Sequence, residues 1–228
     1  MNTPTLKNSF LFSFGFTLTL WLIFCLIHYC GWEPRPLAVY PLELHGLIGI
    51  ITAPLIHGSW EHISSNSLPL LLLGTMLLYG YPSSRWYALL LIWILSGIGV
   101  WLLARPSFHF GASGLTHGLF FYLFVIGILR HDKRSIGLLL IAFMMYGGML
   151  MTIFPREPGI SYESHFFGGL AGLLAAFAFR HWDPKPVEKH YSWELEEAVN
   201  ELGVGHWQPP HDAAAQPKTL QTTFALRK

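Results

Sequence analysis

Residues 111–130 read GASGLTHGLFFYLFVIGILR, an apolar run that opens on a serine between small residues. At about 20 residues, the run is long enough to cross the hydrocarbon core of a bilayer as one helix. Ser113 and His117 both lie in its first two turns. The run therefore predicts a membrane-spanning helix with a polar entrance. Ser113 is either a nucleophile or a small residue that lets two helices pack closely.

The composition of the whole chain favours a membrane protein. Of its 228 residues, 52% are hydrophobic and 12% are charged, and the mean hydropathy is +0.42. A soluble domain of this length normally carries about a quarter charged residues. The net charge of +1 and the absence of a basic stripe argue against a nucleic-acid partner. Cys25 and Cys30 are five residues apart in one apolar block, so they face different directions and are not expected to pair.

Six stretches are long and apolar enough to span a membrane, and they cover about residues 10–30, 62–80, 86–104, 113–130, 135–153 and 164–181. We predict an all-α fold, a polytopic helix bundle with six transmembrane helices, over residues 1–182. Residues 37–57 contain Pro41, Glu43 and Pro54, and they favour an interfacial or re-entrant segment.

The character of the chain changes at Asp183. Residues 183–228 are predicted to form a short, polar C-terminal tail. One short helix is expected from Trp193 to Leu202, with Ser192 as its N-cap, and the rest is expected to be weakly ordered.

The distribution of Lys and Arg near the span ends predicts the orientation in the membrane. If the N-terminus is inside, seven basic residues lie on the inner side and three on the outer side. The inner set is Lys7, Arg85, Arg130, Lys133, Arg134, Arg180 and Lys185, and the outer set is Arg35, Arg105 and Arg156. Because cytoplasmic loops carry the excess of positive charge, both termini are predicted to be cytoplasmic.

This topology brings polar residues of three spans to the outer side. Ser113 opens the fourth span, His165 opens the sixth, and His62 and Asn66 lie in the first turns of the second. Polar groups within a membrane usually face a protein interior or a water-filled cavity. We therefore predict a shared polar pocket that is open to the outside.

The fourth and sixth spans each carry a small-residue pattern just inside the polar residue. Gly114 and Gly118 on one, and Gly168 and Gly172 on the other, allow close helix approach. Packing these faces together would bring His165 to Ser113 as a general base. Packing alone remains an alternative role for Ser113.

The other polar residues have two readings each. His62 and Asn66 share a helix face and could donate to an oxyanion, or they could hold the bundle together by interhelical hydrogen bonds.

No carboxylate lies inside a span core. Glu163 is the one near candidate for a third catalytic member, so a Ser–His dyad is the more economical prediction.

Taken together, the motifs resemble those of the rhomboid intramembrane serine proteases in their bacterial six-span form. The resemblance covers about residues 10–181 and rests on three patterns in order: His57-x4-His62-x3-Asn66, Gly111-x-Ser113-Gly114, and His165-x2-Gly168-x3-Gly172. It implies that Ser113 is the nucleophile and His165 its base. It also implies that His62, Asn66 and the Ser113 backbone N–H stabilise the oxyanion, and that Gly111, Gly114, Gly168 and Gly172 pack the active site.

The resemblance assigns two loops as well. Residues 31–57 match a membrane-embedded first loop, and residues 154–164 match a mobile cap over the active site. Two positions depart from the family pattern. His117 stands where an aromatic residue usually packs on the basic histidine. The first loop has no adjacent Trp-Arg pair, and only Trp32 and Arg35 come close.

What the resemblance implies about function is proteolysis without a cofactor or metal. The expected partners are transmembrane protein substrates and the lipid bilayer, the expected location is the bacterial plasma membrane, and the oligomeric state stays open. Two alternatives remain: a non-catalytic rhomboid-like protein that binds membrane clients, and a metal protein that uses His57, His62, His117 and His165. The absence of an HExxH motif speaks against the second.

Overall fold

The structure is a computed structural model that describes residues 4–155 and 161–186. The long helices are α1 (Leu6–Cys30), α3 (Trp60–Gly80), α4 (Arg85–Leu103), α5 (Ser113–Arg130), α6 (Lys133–Tyr146) and α8 (Tyr162–Phe179). The short ones are α2 (Gly49–Thr52), α7 (Met149–Thr152) and the 3-10 turns Arg35–Leu37, Leu44–Ile48 and Ala53–Leu55. Within the described ranges no strand forms, and one isolated bridge pairs Val39 with His109. The predicted all-α class is confirmed.

Four of the described helices are long and apolar enough to cross a membrane, namely α1, α3, α4 and α5. The predicted span 135–153 is divided, because α6 ends at Tyr146 and α7 begins two residues after Gly147. Gly147 and Gly148 at the break have poor helix propensity. α8 has 18 residues but opens on Glu163 and His165. The six-span count therefore stays a prediction, and the helix expected in the tail lies outside the described residues.

The first loop, residues 31–57, runs as short helical turns beside α4. Indole N–H groups on α4 hold it there, since Trp93 donates to the carbonyl of Ile51 at 3.1 Å and Trp101 to that of Glu43 at 3.0 Å. Two tryptophans of the neighbouring helix thus help to dock this loop, together with backbone hydrogen bonds of the loop itself such as that from Leu42 N–H to the carbonyl of Trp101 at 3.0 Å.

α5 and α8 pack at backbone contact through their glycines. A methyl group on Gly168 would collide with the carbonyl of Gly114, and one on Gly172 would collide with the carbonyl of Gly118. Only glycine allows two helices to approach this closely. The contact aligns the first turns of α5 and α8, which carry Ser113 and His165.

A buried ionic cluster lies at the other end of α5. Arg130 Nε donates to Asp132 at 2.9 Å, and its Nη1 donates to the carbonyl of Asp183, also at 2.9 Å. Burial alone would raise the pKa of Asp132, but hydrogen bonds from Ser135 and Arg130 hold it below its ordinary value. The Asp183 carboxylate accepts from the hydroxyl of Ser84 at 2.6 Å. These contacts join α5, α6 and the residues that follow α8.

Candidate active site

A cavity of about 700 Å³ opens at the end of the bundle where α3, α5 and α8 begin. Of the residues singled out in the sequence, five line it: His62, Asn66, Ser113, His117 and His165. Residues from four helices thus line one cavity, and the fourth helix, α7, contributes Met149 and Thr152. The packing glycines Gly111, Gly114, Gly168 and Gly172 are not part of this lining and lie just behind it.

The turn before Ser113 depends on Gly111. Its φ is +114°, and a methyl group there would collide with the imidazole of His62, so only glycine fits on both counts. Its N–H donates to the carbonyl of Ala53 at 2.8 Å. The first loop thereby fixes the backbone from which Ser113 enters α5.

His57 holds the next residue of the same turn. The Ala112 N–H donates to His57 Nε2 at 3.3 Å, so this nitrogen must carry a lone pair. Burial, and then the nearby charge of His62, lower the pKa of His57 from 6.5 to about 3. His57 is therefore neutral and accepts a hydrogen bond from the turn that leads into Ser113.

One ring nitrogen of His165 is hydrogen-bonded to the protein, and the other is not. Its Nδ1 lies 3.0 Å from the carbonyl oxygen of Thr152, and because a carbonyl can only accept, Nδ1 carries the proton. In the neutral ring Nε2 then holds the lone pair, and among the described residues it has no hydrogen-bond partner. This is the tautomer that a general base for Ser113 requires.

His117 lies flat against His165, with ring centroids 4.0 Å apart and an interplanar angle of 8°. Both of its nitrogens are engaged. Nδ1 lies 2.7 Å from the carbonyl of Ser113, and Nε2 lies 2.7 Å from the hydroxyl of Thr152. The Ser113 carbonyl fixes the proton on Nδ1, so Nε2 of the neutral ring can only accept. The single hydroxyl hydrogen of Thr152 lies between this Nε2 at 2.7 Å and the carbonyl of Met149 at 3.0 Å. His117 thus has no nitrogen available to deprotonate Ser113.

His62 and Asn66 lie on the α3 wall of the cavity. Asn66 is buried, and its amide donates to the carbonyl of His62 at 2.8 Å, which leaves a second amide hydrogen. The backbone N–H of Ser113 is in the first turn of α5, where helix N–H groups lack intrahelical acceptors. All three groups can donate to an anionic oxygen that forms beside Ser113.

Glu163 does not orient His165. Its side chain is buried, and Arg105 Nε lies 3.4 Å from one carboxylate oxygen. The nitrogen of His165 that a third catalytic member would hold is taken by the Thr152 carbonyl instead. The arrangement is a serine and a histidine, with a neutral backbone acceptor behind the histidine.

The four histidines considered for a metal do not form a ligand group. In the part of the chain that the structure describes, no set of three or more His, Cys, Asp or Glu residues could hold a metal ion. Nε2 of His57 and both ring nitrogens of His117 are instead used for hydrogen bonds to protein groups.

Two contacts of the site have no counterpart in the sequence motifs. Thr152 contributes a carbonyl to His165 and a hydroxyl to His117, and a backbone carbonyl leaves no trace in a sequence. At the mouth, the hydroxyl of Ser161 lies 2.7 Å from Nδ1 of His109. Residues 156–160 of the expected cap lie outside the described residues.

Comparison with known proteins identifies the family. A family model described as a Rhomboid domain matches residues 44–182. Uncharacterized proteins of Mycobacterium bovis and Mycobacterium tuberculosis are 36% identical to this chain over 148 residues, which is 61% of this chain and 62% of each relative. An uncharacterized protein of Mycobacterium leprae is 33% identical over 146 residues, 60% of this chain and 57% of the relative. The chain thus covers less than two thirds of the length of these relatives. Because the family match extends over more than half of the chain, this protein belongs to the rhomboid family.

Proposed function

We propose that this protein is an intramembrane serine endopeptidase that cleaves transmembrane proteins near the outer membrane face through a Ser113–His165 dyad. Membership of the rhomboid family supports the reaction class, because its members are generally intramembrane serine proteases. The observation that carries the proposal is the arrangement of ring nitrogens. His165 keeps a free Nε2 in the cavity of Ser113, whereas both nitrogens of His117 are engaged.

The proposed reaction has two halves. Nε2 of His165 takes the hydroxyl proton of Ser113 as Oγ attacks the scissile carbonyl carbon, and the carbonyl oxygen becomes an oxyanion. His165 then gives this proton to the leaving amine, the C–N bond breaks, and an acyl ester on Ser113 remains. Water, deprotonated by His165, hydrolyses the ester and restores the free hydroxyl.

In this mechanism three groups stabilise the oxyanion by donating hydrogen bonds to it: His62, Asn66 and the Ser113 backbone N–H. Donors that are already fixed before the reaction need no reorganisation when charge develops on the substrate oxygen. The collision that a Gly111 side chain would make with His62 supports this role, since the ring lies directly against the turn that leads into Ser113.

The substrate must unwind before it can react. A transmembrane helix hides its carbonyls in its own hydrogen bonds, and only a locally opened segment exposes one to Ser113. Glycine or proline in the substrate span should therefore raise the cleavage rate. In this proposal residues 1–182 form the protease domain, and the tail takes no part in the chemistry.

Cleavage of a single-span test substrate in proteoliposomes tests the proposal. Ser113→Ala and His165→Ala should each lower kcat by roughly a thousandfold or more, because the members of a nucleophile–base pair act as a unit. Ser65→Ala is the matched serine control, since Ser65 lines the same cavity and its hydroxyl donates to the carbonyl of His62. His45→Ala, at an exposed position of the first loop, is the histidine control.

Both controls should retain most of the wild-type rate. Full cleavage by folded Ser113→Ala would disprove the mechanism. Absence of cleavage in the wild-type protein, with no reaction of Ser113 towards a fluorophosphonate, would instead favour the non-catalytic client-binding alternative.

A further inference from the structure

A second polar cavity lies at the end of the bundle away from the candidate active site. Phe24 and His28, near the end of α1, contact Trp60 at the start of α3, so α1 begins at the opposite end. There the first turns of α1 meet the end of α3 and the start of α4. They enclose about 210 Å³, which we call the Arg85 cavity, lined in part by Asn8, Ser9, Phe12, Leu78, Arg85 and Trp86.

The Arg85 cavity contains buried donors without acceptors. Ser9 is 3% exposed, and its hydroxyl makes no hydrogen bond to any residue that the structure describes. Nε of Arg85 is likewise buried and unpartnered, and one other guanidinium nitrogen donates to the carbonyl of Leu78 at 3.0 Å. Buried polar groups almost always have partners, so two such donors in one cavity indicate a missing acceptor.

The missing acceptor should be an anion. Among the residues that the structure describes, no carboxylate lies within 4 Å of the Arg85 guanidinium. Within residues 4–155 and 161–186, the positive charge of Arg85 therefore has no carboxylate partner. A guanidinium with a free edge matches the geometry of phosphate oxygens, and a hydroxyl can add one more hydrogen bond.

The surroundings of Arg85 point to a ligand that is partly apolar. The guanidinium lies 5.5 Å from the centroid of the Trp86 ring, and that ring meets Phe12 edge-on at 4.8 Å. Phe12 and Trp86 are 49% and 44% exposed on helices apolar enough to span a membrane. The mouth of the cavity therefore faces the lipid, where an acyl chain can cover these two rings.

We propose that the Arg85 cavity binds the phosphate group of an anionic phospholipid, with Arg85 and Ser9 as donors and with Phe12 and Trp86 against the glycerol and acyl region. The site is separate from Ser113 and does not depend on the proposed protease activity. The group that would bind is a phosphate ester, and soluble phosphate compounds carry the same group. The test must therefore distinguish a phospholipid from a soluble phosphate compound.

Native mass spectrometry of the full chain, released from nanodiscs of mixed phosphatidylglycerol and phosphatidylcholine, measures the bound lipid. The wild-type protein should retain phosphatidylglycerol preferentially. Arg85→Gln should retain about tenfold less, because a charge-assisted hydrogen bond is lost. Lys7→Gln is the matched control: it removes one positive charge from the same end of the bundle, but Lys7 lines a different, apolar cavity. This control should bind like the wild type.

Ser9→Ala guards against a folding defect in Arg85→Gln. The Ser9 hydroxyl has no partner among the described residues, so its loss should leave the melting temperature unchanged while binding falls about threefold. Wild-type retention in Arg85→Gln, or an equal loss in Lys7→Gln, would overturn the proposal, since either result would mean unspecific attraction of charge.

A second experiment distinguishes a phospholipid from a soluble phosphate compound as the ligand. Phosphatidylglycerol or inorganic phosphate is added to delipidated protein in detergent, and the melting temperature is measured. Phosphatidylglycerol should raise the melting temperature of the wild-type protein but not that of Arg85→Gln, and inorganic phosphate should do neither. Equal stabilisation by inorganic phosphate would overturn the assignment to a lipid and would make this a site for a soluble phosphate compound.

Discussion

At the scale of single residues, the neighbours of His165 decide its chemistry. The Thr152 carbonyl fixes the proton on Nδ1, and the parallel ring of His117 fixes the plane of the imidazole. A carbonyl is a neutral acceptor, so it stabilises the imidazolium that forms during the reaction less than a carboxylate would. In the proposed mechanism, His165 would thus be a base that is well oriented and only modestly stabilised in its protonated form.

The substitution His117→Phe separates stacking from hydrogen bonding. Phenylalanine keeps a ring against His165 but removes the bonds to the Ser113 carbonyl and the Thr152 hydroxyl. We expect measurable cleavage with a changed pH profile, because Thr152, whose carbonyl orients His165, loses the contact of its hydroxyl with His117. His117→Ala, which also loses the stacked ring, should be slower. The pH dependence of kcat in proteoliposomes measures both, and complete inactivity of a folded His117→Phe would make His117 the base.

The residues of the site divide into those that the sequence could reveal and those that it could not. The sequence reveals Ser113, His165 and Asn66, because a polar side chain within an apolar span is energetically costly and usually has a function. Thr152 acts on His165 through its backbone, which every residue type possesses. His57 was conspicuous as part of a motif, but its acceptor role towards Ala112 depends on a turn that only the folded chain forms.

At the scale of helices, the contact between α5 and α8 positions the site. These helices touch through Gly114, Gly118, Gly168 and Gly172, and each contact places a backbone carbonyl where a side chain would otherwise be. The apparent choice between a packing role and a catalytic role for Ser113 therefore disappears at this scale. Close packing is what brings the first turns of both helices together.

The substitution Gly168→Ala tests this contact. Its methyl group would collide with the Gly114 carbonyl, so the helices must separate, at a cost of roughly 1–3 kcal/mol. We expect a lower melting temperature and a loss of cleavage. Gly137→Ala in α6 is the matched control, because nothing lies within 4 Å of the added methyl group. It should be neutral or stabilising by up to about 1 kcal/mol, and equal destabilisation by both changes would contradict the account.

A comparison of the predicted spans with the observed helices shows which helix limits the sequence predicts correctly. The predicted span 113–130 matches α5 at both ends, because its polar entrance and its terminal arginine mark the limits. The stretch 135–153 looked continuous by hydropathy, although the Gly147–Gly148 pair divides it. The docking of the first loop by Trp93 and Trp101 could not be foreseen, since an indole N–H finds its acceptor only after folding.

At the scale of the whole molecule, the two ends of the bundle differ in chemistry. One end holds the candidate catalytic cavity, and the other holds the buried Arg130–Asp132 pair and the Arg85 cavity. The excess of Lys and Arg near the second end predicts that it faces the cytoplasm. The catalytic cavity would then open to the outer side.

The native cysteines provide a test of this orientation. Cys30 is exposed at the end of α1 that lies beside the candidate site, whereas Cys25 is half-buried. A membrane-impermeant maleimide should label intact spheroplasts at Cys30, and Cys30→Ser should abolish the label while Cys25→Ser keeps it. Labelling that requires lysis would show that the cavity faces the cytoplasm.

The central claim is that Ser113 is a nucleophile activated by His165, and mapping of a fluorophosphonate adduct tests it most directly. Folded wild-type protein in proteoliposomes should form one adduct, located on Ser113 by peptide mass spectrometry, and His165→Ala should form essentially none. Ser161, which also lines the cavity and lies beside His109, should stay unmodified. An adduct on Ser161, or equal labelling of Ser113 with and without the His165 ring, would contradict the account.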